Sequence, residues 1–514
     1  MNYKVSLVSI DCNQELATQL LHSVLIEAGV DVKSFYIKSN PRAVDAMGQL
    51  EEEDIEVFFD HLKKFNPALV GFSLKSPIFD AARNLTKKIR TVLSDTKVIW
   101  GGVHPSILPD ESIKHSDFVC VGEGEESLLE LVKKLSDGEK GNDVQNIWAR
   151  ENGSVRKNSQ RAIVENLDTL PLPKISDGNH FFISNGKIGD TFSLPEWTIL
   201  TSRGCPFKCW FCSNETIDEI YGRGALRRRS VDNVIDELIQ VKSKLKNIKI
   251  ISFDDDIFTI NQKWIEEFVP QYKKKIGLPF VAQTHPSFVK TEVITLLKEA
   301  GMHAVMMGIQ SGSERVRKEV FFRKTSDQHI LNAVNILKET NVPYVRYDLI
   351  HNNPYETRQD KLNTVNLLLK FPRPVGLNFF QLLWYPKTKL TEKALKEGII
   401  SEQEVEGKCT RTQAFQRGAA LFDNSEDIYF ANLYYLAASN YFPRTLVRFF
   451  SNYHLFERCP IIIDTVIFFT KFLKSLSFGL NGFIKILQGK GSKENILDGL
   501  EMLRRFILPK RYDH

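Results

Sequence analysis

The sequence predicts an α/β protein made of two parallel sheets in series, followed by a helical region. Three observations predict it. Short β-rich apolar runs alternate with helical patterns over residues 1–140, the same alternation resumes at about 196, and it stops near 405. At 514 residues the chain exceeds one ordinary core. With 42% hydrophobic and 25% charged residues it is neither collagenous nor disordered.

In the first domain, residues 1–140, the spacing predicts strands over 4–10, 32–37, 68–74, 97–100 and 118–121, with helices between them, the first over 14–28 and another over 80–93. This is a doubly wound, Rossmann-like pattern, in which ligands sit beyond the carboxyl ends of the strands. The loops to watch therefore begin at Asp11, Lys75, Gly101 and Gly122. Residues 141–195 lose periodicity around Leu170-Pro171-Leu172-Pro173 and read as a linker. Residues 196–404 resume with strands at 198–202, 249–253, 280–283, 304–309, 344–350 and 376–383, six β/α units of a partial (β/α)6 barrel. Residues 405–514 form a helical C-terminal domain. No apolar run there reaches the roughly 18 residues that span a bilayer. Phe468, Phe469, Phe472, Phe478 and Phe483 lie among lysines, a pattern that fits either an interfacial helix or a helical cap on the barrel.

The net charge of +5 is spread along the chain, so no nucleic-acid face follows from it. Met1 to Ile10 reads as a buried strand rather than a leader, and seven cysteines are too few for a disulfide scaffold, so a reducing, cytoplasmic setting is expected. Cys12, Cys120, Cys409 and Cys459 are isolated and read as small buried hydrophobes. Cys205-Pro206-Phe207-Lys208-Cys209-Trp210-Phe211-Cys212 differs: three thiols follow the first barrel strand directly. Three thiolates do not close a structural zinc site, whereas a 4Fe-4S cluster held by three leaves one iron open.

With these cysteines the chain resembles the radical S-adenosylmethionine (SAM) superfamily, whose Cys-x3-Cys-x2-Cys loop holds such a cluster. The resemblance implies SAM contacts at Phe211 near the adenine and at Asp255 and Asp256, in Phe253-Asp254-Asp255-Asp256, for the amino group. It implies further contacts at Gln310 and Ser311, in Gly308-Ile309-Gln310-Ser311-Gly312, for ribose and carboxylate, and at Ile350 near the adenine. Tyr385-Pro386-Lys387-Thr388 is similar to the family's Tyr-Pro-Gly-Thr turn with Lys for Gly, which bears on the turn's positive φ. His285, Arg346, His351 and Tyr385 are candidates to line the cavity, each with a structural role as its alternative.

The first domain resembles the cobalamin-binding domain of one branch of that superfamily, through Gly101-Gly102-Val103-His104-Pro105, through Val121-Gly122-Glu123-Gly124-Glu125, and through the Leu-Pro linker. This implies cobalamin contacts at Ser9, Asp11, Gln14, Ser73, Ser76, Gly101, Gly102, His104, Gly122, Glu123, Gly124 and Glu125. The Asp-x-His-x-x-Gly motif that supplies an axial histidine elsewhere does not occur in this sequence. The cobalt's lower face would then meet the 11–14 loop, water or nothing.

The resemblance implies an enzyme that cleaves SAM to a 5′-deoxyadenosyl radical, with methylation of an unactivated carbon or phosphorus as the leading outcome. Rearrangement, cyclisation or oxidation on the same scaffold is the alternative. An iron-sulfur sensor or binding protein is the alternative of another class. Implied partners are a small-molecule, lipid-linked or peptide substrate, a one-electron reductant such as flavodoxin or ferredoxin, and peripheral membrane contact through the C-terminal helices.

Overall fold

The structure is a computed structural model that describes residues 3–10, 15–38, 50–151, 153–175, 177–189, 195–221, 226–405 and 425–453, together with 465–466 and 470. Asp11, Cys12, Gln14, Cys409, Cys459 and nearly all of 460–487 lie outside the described residues.

The first sheet begins with β1 (Lys4–Ile10), β2 (Asp31–Ile37), β3 (Leu69–Ser73), β4 (Lys97–Gly101) and β5 (Phe118–Cys120), all parallel. These strands are apolar on both faces because helices cover both, and Val5, Val32, Leu69, Val70, Val98 and Val119 are wholly buried. The chain runs from β1 to β2 on one side and returns to β3 on the other. That reversal opens a crevice at the carboxyl ends of β1 and β3.

The 141–195 segment is not a free linker. It supplies β6 (Ile147–Glu151), β7 (Ser154–Lys157), β8 (His180–Ser184) and β9 (Lys187–Gly189), which complete a nine-stranded sheet in the order β7-β6-β5-β4-β3-β1-β2-β8-β9. The physical reason is the two sheet edges: β5 and β2 would otherwise leave unpaired backbone groups. β6 and β7 form an antiparallel hairpin on β5, while β8 pairs parallel with β2. β8 is pinned by His22, whose Nδ1 lies 2.8 Å from Ser34 Oγ and whose Nε2 lies 2.7 Å from Asp177. His180 is pinned likewise by Tyr36 Oη at 3.2 Å and the Lys174 carbonyl at 2.9 Å. Burial holds the His180 imidazole down at about 4, so it stays neutral in this bolt.

The second sheet is open, parallel and six-stranded: β10 (Glu196–Ile199), β13 (Ile250–Phe253), β14 (Phe280–Thr284), β15 (Met302–Gln310), β16 (Tyr344–His351) and β17 (Gly376–Gln381), hydrogen-bonded in that order. Trp197, Phe253, Phe280, Met307 and Leu349 point outward into a core shared with the covering helices. Each such side chain contributes roughly 2–3 kcal/mol of burial. The alternate residues, among them Asp348, Ile350 and Asn378, are less buried and face the concave side. A short antiparallel pair, β11 (Ser202–Arg203) with β12 (Arg227–Arg228), follows the first barrel strand.

Helices Ser425–Ala438 and Arg444–Asn452 pack on the barrel's exterior through Tyr429, Phe430, Leu433 and Val447. Lys361 fixes the first of them by pairing with Glu426 and Asp427, each at 2.6 Å. Among the described residues no helix is long and apolar enough to cross a membrane.

Candidate active site

The three barrel cysteines stand on a loop launched by Gly204, whose φ of +86° turns the chain out of β11. The loop is held from both sides: Trp210 N–H donates to the Phe321 carbonyl at 3.0 Å, and Leu390 N–H donates to the Trp210 carbonyl at 3.0 Å. The Trp210 ring stacks on Phe322, and Phe211 meets Phe321 edge-on. Burial pushes the Cys205 thiol up to about 11 and Cys212 up to about 12. Cys209 is raised by burial as well, opposed by Arg323, which donates to its sulfur at 3.7 Å.

The donor set can be tested for fit. Sulfurs sharing one tetrahedral ion with ~2.3 Å bonds would sit only ~3.8 Å apart. Among the described residues the one His/Cys/Asp/Glu group gathered within 4.8 Å is His22, Asp177 and His180, whose ring nitrogens the bolt already uses. The three thiols are not all gathered that closely, which a group of several irons allows.

The acidic run at the end of β13 splits by alternation. Asp254 and Asp256 line a cavity, whereas Asp255 is wholly buried and accepts from Thr201 N–H at 3.1 Å, from Thr201 Oγ1 at 2.9 Å and from Ser202 Oγ. Asp255 is therefore not free to meet a ligand's ammonium, contrary to the expectation from sequence; it ties β13 to the start of the cysteine loop. Asp256 is the carboxylate near Cys205 and Cys212, and burial pushes its carboxyl above the usual carboxylate range, against the Asn214 hydrogen bond.

Gln310 sits at a bulge in β15 with a φ of +72°, a strained position for a residue with a Cβ. Ser311 is corrected too: its hydroxyl is buried and donates to Glu356 at 2.8 Å, so it braces the loop. Ile350 and Phe211 pack on the same apolar cluster, an arrangement that suits an adenine face. Lys387 does take the left-handed conformation, with φ at +61°. Of the proposed lining residues, His285 is buried, stacked on Phe207 at 4.0 Å, and accepts from Ser287 N–H. Arg346 is exposed on the concave face, Tyr385 is half-buried, and His351 is buried.

The cavity, of about 590 Å³, runs between the two sheets. From the first domain it is lined by Ser73, Gly101, Gly102, Gly122, Glu123, Gly124 and Glu125, and from the barrel by Arg203, Asn214, Tyr221, Arg227 and Asp256. Ser9, Ser76 and His104 do not line it. Ser9 Oγ lies 2.6 Å from Thr18 Oγ1, and His104 Nδ1 lies 3.0 Å from Ser76 Oγ, beneath the Phe79 ring. Glu123 lines the cavity but has both oxygens engaged by protein. Glu125 Oε2 is buried without a hydrogen-bond partner. An orphaned acceptor beside a glycine-walled cavity fits a ligand carrying amide donors, such as a corrinoid.

Sequence reasoning missed Arg203, Arg227, Tyr221, Asp254 and Arg323. The run Arg227-Arg228-Arg229 was the available signal for Arg227, set against the two glutamates of the 122–125 loop.

Comparisons agree with this division. Residues 11–132 match the B12 binding domain model and residues 199–368 the radical SAM superfamily model, together more than half of the chain. An uncharacterized methyltransferase of Pyrococcus horikoshii is 29% identical over 66% of this chain and 72% of its own. The cytidylyl-2-hydroxyethylphosphonate methyltransferase of Streptomyces wedmorensis is 22% identical over 81% and 84%. Among solved structures, the radical SAM methyltransferase TsrM of Kitasatospora setae, with cobalamin and a [4Fe-4S] cluster bound, superposes with a TM-score of 0.63 at 16% identity, covering 77% of this chain and 75% of that one. The cobalamin-dependent enzyme OxsB, with aqua-cobalamin bound, gives 0.64 at 14% over 98% and 79%. With its thiol loop, its carboxylates and its glycine-walled cavity between two such domains, the chain belongs to the radical SAM superfamily, in the branch that carries a cobalamin-binding domain, and its cofactors are a 4Fe-4S cluster, SAM and cobalamin.

Proposed function

We propose that the protein is a cobalamin-dependent radical SAM methyltransferase acting on an unactivated carbon or phosphorus. The observation that carries this is one cavity reached both by the barrel's acidic strand end and by the first domain's glycine loops. When bound, the cofactors supply an electron for SAM cleavage to methionine and a hydrogen-abstracting radical, and a methyl group for transfer.

The chain's residues position and shield. Cys205, Cys209 and Cys212 would hold the cluster, each losing a thiol proton on ligation. Arg323, anchored on the Gly308 carbonyl at 2.8 Å, places a cation beside Cys209. Asp256 accepts from the SAM ammonium, Gln310 from its ribose, and Phe211 with Ile350 flanks its adenine. Gly101, Gly102, Gly122 and Gly124 let backbone approach the corrinoid, Glu125 Oε2 accepts from one of its amides, and Ser73 adds a polar contact. The first domain over the barrel mouth excludes water from the reacting carbon.

The enzyme needs a substrate and a one-electron reductant, and we assign the latter to a flavodoxin or ferredoxin in a cytoplasmic setting. Leu446, Phe449 and Tyr453, exposed along and just past the last described helix, support peripheral membrane contact. Binding to anionic liposomes at low salt tests that contact. Relatives named as anaerobic magnesium-protoporphyrin IX monomethyl ester cyclases, such as that of Rubrivivax gelatinosus at 25% identity, favour cyclisation as the second reading. SAM labelled in its methyl carbon distinguishes the two: label in the product supports methylation, and an unlabelled product formed with 5′-deoxyadenosine defeats it.

A further inference from the structure

The loop after β5 grips the cysteine loop on both of its flanks. Glu123 Oε1 accepts from Arg203 Nη1 at 2.8 Å and from Arg227 Nη2 at 2.7 Å. Its Oε2 accepts from Arg227 Nη1 at 3.1 Å and from Val164 N–H at 2.9 Å. A carboxylate offers about four acceptor positions, so protein donors saturate this one. Arg203 also gives Nη2 to Glu125 at 2.6 Å. Arg203 and Arg227 face each other across the β11–β12 pair, and Arg203 precedes Cys205 by two residues.

On the other flank, helix Ser213–Tyr221 begins directly after Cys212. It ends with Tyr221 laid on Gly122, where an added Cβ would come within 3.0 Å of the tyrosine oxygen. Three residues of the first domain, Gly122, Glu123 and Glu125, thus hold the chain before and after the three cysteines.

We propose that Glu123 is a positioning residue rather than a corrinoid contact: through Arg203 and Arg227 it holds the cysteine loop in register with the cavity, so that corrinoid binding stiffens that loop. The second half of this inference rests on the cobalamin reading of the cavity; the first half does not. A forked guanidinium on a carboxylate suits the task, since two parallel hydrogen bonds fix orientation as well as distance. Glu125, which lines the cavity with one oxygen on Arg203 and the other buried without a partner, is the residue through which a bound amide reaches the clamp.

The test uses the full chain, anaerobically reconstituted with iron and sulfide, and hydrogen exchange of residues 201–212 with and without hydroxocobalamin. Without corrinoid, Glu123→Gln is expected to speed exchange there about tenfold, while cluster content holds and hydroxocobalamin affinity stays within about threefold. In the unsubstituted protein hydroxocobalamin slows that exchange, and in Glu123→Gln it does not; Glu123→Asp restores part of the effect. Arg227→Lys, which keeps the charge and loses the fork, gives the same loss from the barrel side and serves if the Gln variant fails to fold. Unchanged exchange in both variants overturns the clamp. A more than tenfold loss of affinity with unchanged exchange also overturns it, by making Glu123 a ligand contact. Absence of hydroxocobalamin binding in the unsubstituted protein defeats the cobalamin reading and with it the stiffening, while the corrinoid-free comparison still decides the clamp.

Discussion

The two sheets end their parallel strands differently at the face they share. The first closes its strands with Gly101-Gly102 and Gly122-Glu123-Gly124, leaving backbone walls and one orphaned acceptor. The second closes with Cys205, Cys209, Cys212, Asp254 and Asp256, which are donors of charge and sulfur. Glycine walls make room for a large, neutral, amide-bearing ligand, whereas thiolates and carboxylates select iron and an ammonium. The same layered architecture therefore holds two unlike cofactors because its strand-end residues differ, not its topology.

The strongest way to break this contrast is at the thiols. Cys209→Ala should abolish SAM cleavage and leave no intact four-iron centre by iron and sulfide analysis. Next come the acids, which should separate by role. Asp256→Asn should weaken SAM binding by about 10- to 100-fold, the worth of a lost charge-assisted hydrogen bond. Asp255→Ala should instead lower folding stability by about 1–3 kcal/mol, read by denaturant unfolding, because Thr201 and Ser202 lose their acceptor.

Smaller effects sharpen the picture. Lys387→Gly should stabilise the barrel by about 1 kcal/mol, since φ is +61° there and glycine removes the left-handed strain. The Glu356 carboxyl is raised to about 7, chiefly by burial and against the Ser311 and Lys361 contacts. A carboxyl raised above its unfolded value of 4.5 favours folding below that pH, and the benefit is lost as pH rises through 7. The melting temperature of the unsubstituted protein relative to Glu356→Gln should therefore fall by roughly 2–5 °C between pH 5 and 8.

Both parallel sheets were legible in sequence because strands buried on two faces are continuous apolar runs, and β1 falls on 4–10 as the run predicts. β7 was illegible for the opposite reason: Ser154-Val155-Arg156-Lys157 is exposed at every position and is a strand only because an edge needs a partner. The cysteine loop announced itself by spacing. Asp255 could not be told from its neighbours, since three consecutive aspartates look alike until strand alternation buries the middle one. His104 and Ser76 sit in cavity-forming loops but turn toward one another, a pairing that spacing does not encode. Nothing in the spacing of Arg203 and Arg227 encodes the first domain's carboxylate that meets them.

One measurement tests the central claim most directly: the full chain, reconstituted anaerobically with iron, sulfide and hydroxocobalamin, is given dithionite and SAM. About four irons and one corrinoid retained per chain, with 5′-deoxyadenosine released, is the predicted result. A chain that retains no corrinoid and releases no 5′-deoxyadenosine although its cluster is complete would contradict it.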